Sequence, residues 1–138
     1  MCLNLKSKFA IKRIATKNII VYKQLCSYEI DGWKYYVTPY QKANVVIGHT
    51  YTSELIRDKH WNTIDEGLHS FANIPDCYEN SRNTATVFVI DGEIRHTTPV
   101  LVECFIPRGA RYYKGTFNSG YESLASNELV YNRILGFN

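Results

Sequence analysis

The chain has 138 residues, of which 45% are hydrophobic and 21% charged, and its net charge is +3. This size and composition fit a single domain spanning 1–138 and exclude a disordered chain. No run of about 18 apolar residues exists, which excludes a membrane-crossing helix, and Met1-Cys2-Leu3-Asn4-Leu5-Lys6 lacks the apolar stretch and small-residue cleavage site of a signal peptide, so a cytoplasmic protein is expected.

The first 28 residues carry Lys6, Lys8, Lys12, Arg13, Lys17 and Lys23 and no acid before Glu29. Such a segment suits an acidic partner, either nucleic acid or an acidic protein surface, although it can equally be a solvated face. Ile11 to Lys17 reads as a short helix or a lead-in. Val21 to Ile30, Asp31-Gly32 and Trp33 to Val37 form the first hairpin signal, because Asp-Gly between β-formers favours a turn with two positive φ values. Thr38-Pro39 ends it, since proline cannot donate to a continuing ladder.

Thr52 to Arg57 reads as one or two helical turns. Asn73 to Asn80 reads as a capped helix with Asn73 as N-cap and Pro75 in the first turn. Thr84 to Ile90, Asp91-Gly92 and Glu93 to His96 form the second hairpin signal. Val100 to Ile106 reads as a buried strand closed by the turn Pro107-Arg108-Gly109. Arg111 to Phe117 and Asn127 to Leu135 read as the last strands. The expected class is therefore α+β, mostly antiparallel sheet with two or more β-hairpins and one or two short helices.

Cys2, Cys26, Cys77 and Cys104 are scattered with no Cys-x-x-Cys pair, which suits small buried hydrophobes better than zinc ligands. His49, His60, His69 and His96 show no i, i+4 pair, so no metal is expected. There is no glycine-rich phosphate loop and no nucleophile elbow.

Two clusters can carry function. Pro107 to Gly115 mixes Arg108, Arg111 and Lys114 with Tyr112 and Tyr113, and tyrosine faces stack on bases while the cations hold phosphates. Its plainer reading is a strand with tyrosines alternating between core and surface. Gly67-Leu68-His69-Ser70-Phe71-Ala72 precedes the candidate helix and can line a pocket, or be a strand end with a satisfied histidine.

Several stretches in order resemble a family of small proteins of crAss-like phages and Bacteroides-type bacteria. They are Met1-Cys2-Leu3, Asn18 to Lys23, Thr38-Pro39-Tyr40-Gln41 followed by Ile47-Gly48, Glu66 to Phe71, Phe105 to Gly115, and Tyr121 to Leu129. The resemblance covers nearly the whole chain. It implies a phage or prophage accessory protein in the bacterial cytoplasm and no particular reaction. By analogy with other small phage proteins, the expected role is that of a non-enzymatic binding module. It would act on a host protein or nucleic acid, with inhibition of an antiviral defence included. The expected surface is Arg108, Arg111, Tyr112 and Lys114 together with the basic N-terminal segment, and no cofactor is expected.

A second resemblance is to the ADP-ribosyltransferase fold, carried by Val21-Tyr22-Lys23, by Gly67 to Ala72, by Ile106 to Ala110 and by Ser126 to Tyr131. It implies an enzyme, or a catalytically silent nucleotide-binding relative, that takes NAD. Lys23 would hold the dinucleotide, His69 would stand on the central strand, and Glu128 would stabilise the oxocarbenium-like centre. Lys23 replaces the arginine or histidine of that pattern, and His69 its tyrosine or serine.

Overall fold

The computed structural model describes residues 3–6, 10–39, 43–58, 60–81, 87–117 and 120–137. In chain order the first elements are β1 (Leu3–Asn4), β2 (Arg13–Ile14), β3 (Ile19–Ile30), β4 (Trp33–Val37), β5 (Asn44–Val45), β6 (Thr50–Thr52), β7 (Ile56–Asp58), β8 (Thr63–Glu66) and β9 (Leu68–Phe71). Then come α1 (Ile74–Ser81), β10 (Val87–Ile90), β11 (Glu93–His96), β12 (Thr98–Ile106), β13 (Arg111–Phe117), β14 (Tyr121–Ser126) and β15 (Glu128–Phe137). Cys2, Lys8, Tyr40, Gln41 and the expected strand start Thr84–Thr86 lie outside the described residues.

Both Asp-Gly turns form as their chemistry requires. Asp31 and Gly32 have φ of 53° and 83°, and Asp91 and Gly92 have 52° and 79°. Each closes a two-residue hairpin, β3 with β4 and β10 with β11. The helix start is also as expected, because Asn73 Oδ1 accepts the Asp76 N–H at 2.9 Å.

The expected α+β class is overturned: the described residues are nearly all antiparallel sheet, a mostly-β fold with one eight-residue helix. Thr52 to Arg57, expected as helical turns, and Ile11 to Lys17, expected as a short helix or a lead-in, both run along strand edges. In Ile11 to Lys17, β2 pairs with β13, and Ala15 donates to Ala110 O at 2.9 Å and accepts from Gly109 N at 2.8 Å. In Thr52 to Arg57, the chain passes from β6 to β7, and Ser53 N donates to Asn127 O at 2.9 Å. Open sheet edges offer these backbones partners at once, which outweighs a weak local helix preference over so few residues. The strand β14 was not foreseen.

One thirteen-stranded sheet runs β6-β15-β12-β3-β9-β14-β13-β1-β8-β7, with β2 on β13 and β4 and β5 branching from β3. Its end strands β6 and β7 are separated by residues 53–55 alone. Four peptide steps from Thr52 to Ile56 reach at most about 14 Å, so the sheet curls back on itself. The main core fills the curl with Val21, Leu25, Val100, Val102, Cys104, Ile106, Leu129 and Tyr131. A second cluster gathers Leu3, Leu5, Ile64, Tyr113 and Ala125. In a third, Phe88 of the β10–β11 hairpin packs on Cys26, Tyr28 and Val37.

Candidate functional site: a cation-lined cleft and a buried amine

The basic N-terminal segment is laid directly on β13. Asn4 stands opposite Thr116, Arg13 opposite Tyr112, and Ile14 opposite Arg111. Asn62 holds the neighbouring chain at Leu5 through Leu5 N to Asn62 O at 3.0 Å and Asn62 Nδ2 to Leu5 O at 3.2 Å. Arg57 holds the carbonyl of Ala10 and its guanidinium stacks on Tyr113 at 5.8 Å.

This placement makes a cleft of about 370 Å³ in which Lys6, Arg13 and Lys114 meet Glu122. Small or apolar Ala10, Ala72, Gly115 and Leu124 line the rest with Ser123. The far wall is pinned to the helix start. Asp76 Oδ2 accepts the Glu122 N–H at 2.7 Å, and Ala72 N donates to Glu122 O at 3.0 Å. Among the described residues no ion pair or side-chain hydrogen bond engages Lys6, Arg13 or Lys114.

The residues expected to form the binding surface separate into three environments. Arg108 and Arg111 are exposed, with Arg108 N–H held by Asn18 Oδ1 at 3.0 Å and Arg111 N–H by Asn127 Oδ1 at 2.9 Å. Lys114 is exposed within the cleft. Tyr112 is 8% exposed and belongs to the main core, so its ring is not free to stack on a ligand. Strand alternation explains this, because Tyr112 and Tyr113 turn to opposite faces and both faces are covered.

A different environment surrounds Lys23. It shares the core-facing side of β3 with Val21 and Leu25 and stands opposite Val102. Its Nζ donates to the backbone O of His69 at 2.9 Å. Part of the residue's surface stays open, but burial of the amine pushes its pKa down, against the opposing pull of Cys104 and Cys77. Burial pushes both thiols up to about 12, partly offset by the Lys23 charge. Cys77 reaches this group from α1 and Cys104 from β12, and both are fully buried.

His69 is 7% exposed and its ring packs edge-on against Phe71 at 4.9 Å and Phe117 at 5.1 Å. Burial first, and the Lys23 charge second, depress its pKa to about 3. The ring is therefore neutral at pH 7, and among the described residues its Nε2 has no hydrogen-bond partner.

Lys23 and His69 thus meet, but Glu128 stands elsewhere. Lys23 is level with Val102 and, across it, with Ile134, whereas Glu128 lies six residues further along β15, opposite Thr52. That offset is roughly 20 Å of strand. No hydrogen bond or ion pair joins the Glu128 carboxylate to Lys23 or His69 among the described residues. No NAD-holding constellation of the three residues is assembled.

Sequence reasoning found Lys6, Arg13 and Lys114 as members of two separate basic stretches. It missed their meeting, and it missed Glu122 and Ser123. The available signal was Gly115 inside a strand run, which marks a close approach of another backbone. The grouping of Lys23, Cys77 and Cys104 has no local signal, because three different elements supply it.

No family model, curated protein or solved structure matches the chain. Among the described residues no helix is long and apolar enough to cross a membrane.

The buried thiols give a direct check on this packing. Iodoacetamide at pH 8, followed by peptide mass mapping, is expected to leave Cys26, Cys77 and Cys104 unmodified in the folded protein and to label all three in denaturant. Burial and raised pKa values remove both access and thiolate. Rapid labelling of Cys77 or Cys104 under native conditions would contradict it.

Proposed function

We propose that the chain is a non-enzymatic binding module that grips an anionic host partner through its basic face. The setting suggested by the sequence resemblance is a phage or prophage accessory protein acting on a host factor, with inhibition of an antiviral defence as one such role. The observation that carries the reading is the pairing of β2 with β13. It sets Arg13 opposite Tyr112 and brings it into one cleft with Lys6 and Lys114, while Arg111 at the start of β13 and Arg108 in the turn before it are exposed. Cations gathered on neighbouring strands, with no ion pair to a carboxylate among the described residues, raise the local potential and steer an acidic partner.

The test is capture from a lysate of a Bacteroides-type bacterium with the intact protein and with Arg108→Glu/Arg111→Glu. Both side chains are exposed, so the variant keeps the core. Capture of the main partner is expected to fall at least about tenfold in the variant and to weaken with added salt. Nuclease treatment of the eluate separates a nucleic-acid partner from a protein. Equal capture by both forms would remove this surface from consideration.

A further inference from the structure

We propose that the cleft between β1, β2, β13 and β14 is a site for a phosphate monoester of nucleotide size. This deepens the binding-module reading and rests on it for the claim that the basic face is functional. Lys6, Arg13 and Lys114 come from three separate segments, yet they border one volume of about 370 Å³. Cations spread along a stripe would suit an extended polyanion. Cations converging on one concave volume suit a compact, highly charged group.

A terminal phosphate carries about two negative charges near pH 7 and three acceptor oxygens, against one charge on a backbone diester. Three cations with no ion pair among the described residues match the former better. Arg13 brings a planar fork for bidentate contact, and the two lysines bring point charges.

The single carboxylate gives the site a direction. Glu122 would repel the phosphate, so the phosphate sits towards the cations, and Glu122 accepts hydrogen bonds from the hydroxyls of the attached sugar. Ala72 and Leu124 present apolar, uncharged surface to the cleft, which suits contact with a flat ring. The volume falls at the small end of the range of ligand pockets, about 300–1,000 Å³, which suits one nucleotide rather than a dinucleotide.

The ligand chemistry has two sources, a free mononucleotide or the 5′ end of a nucleic-acid strand, and titration calorimetry on the intact protein separates them. The probes are AMP, adenosine, and a short oligonucleotide with and without a 5′-phosphate. AMP is expected to bind saturably and adenosine at least about tenfold more weakly, since a charge-assisted phosphate contact supplies the difference. Tighter binding of the 5′-phosphorylated strand than of AMP assigns the strand end, and the reverse order assigns the free nucleotide.

Arg13→Gln/Lys114→Gln is expected to weaken AMP at least about tenfold, and Lys6→Gln is a second variant should the first misfold. Arg108→Gln/Arg111→Gln is expected to leave AMP within about twofold, because neither residue lines the cleft. Equal affinity for AMP and adenosine, no AMP binding at millimolar concentration, or indifference to both cleft variants would overturn the site. If AMP fails while lysate capture still depends on Arg108 and Arg111, the cleft proposal alone falls. If capture is indifferent to those arginines while AMP binds, the partner surface alone falls.

Discussion

Lowering the pH from 6.5 towards 3 is expected to destabilise the protein through His69 by about 1.4 kcal/mol per pH unit. The direction follows from proton binding. The unfolded chain protonates this imidazole near pH 6.5, whereas the folded protein resists until about pH 3. Between those values the unfolded state binds more protons, so stability is complete above the window and is lost as pH falls through it. The resistance has a structural cause. The ring lies between Phe71 and Phe117, with no partner for Nε2 among the described residues and with the Lys23 amine held on its own carbonyl. A second positive charge there would be desolvated and repelled.

Glu103 adds acid sensitivity of the same sign, because hydrogen bonds from Arg133 and Asn132 hold its carboxyl below the usual range. The variant His69→Phe isolates the histidine. It keeps an aromatic ring beside two phenylalanines and removes the buried unpartnered nitrogen. Urea unfolding at pH 7 should find it at least as stable as the native chain. At pH 4.5 its advantage should be larger by about 2.5 kcal/mol. Parallel stability–pH curves for the two proteins would show that His69 is not the buried neutral group described.

What could be read from the sequence was whatever is encoded within a few residues. The Asp31-Gly32 and Asp91-Gly92 turns depend on φ values that those residues adopt readily, and both formed. The Asn73 cap depends on a side chain reaching three residues ahead, and it formed too. The fold class depended on something else. Whether Ile11–Lys17 and Thr52–Arg57 coil or extend is decided by β13 and β15, which lie far along the chain. The site divides in the same way. Lys6, Arg13 and Lys114 were visible as charges, but their shared cleft is a product of pairing between residues about 100 positions apart. Tyr112 shows the reverse error. Its composition suits stacking on a ligand, but only the packing of two layers reveals that the ring is interior.

That pairing rests on Gly115, and Gly115→Ala should undo it. A Cβ at this position would lie 2.2 Å from the backbone O of Asn4 and 3.0 Å from Leu3 Cγ. The obstruction is backbone, so no rotamer change relieves it, and β1 must move away from β13. Leu3 and Leu5 then withdraw from the cluster they form with Ile64, Tyr113 and Ala125. Overpacking of this kind together with partial exposure of two leucines costs about 3 kcal/mol. Lys6 follows two residues after Asn4, so the same displacement takes one cation out of the cleft. The variant should therefore unfold at lower urea concentration and also bind AMP more weakly. Gly120→Ala is the matched control, since a Cβ there meets nothing within 4 Å, and it should change neither quantity. A Gly115→Ala protein as stable as the native chain would mean that β1 does not lie against β13. The cleft would then lose the contact that brings its cations together.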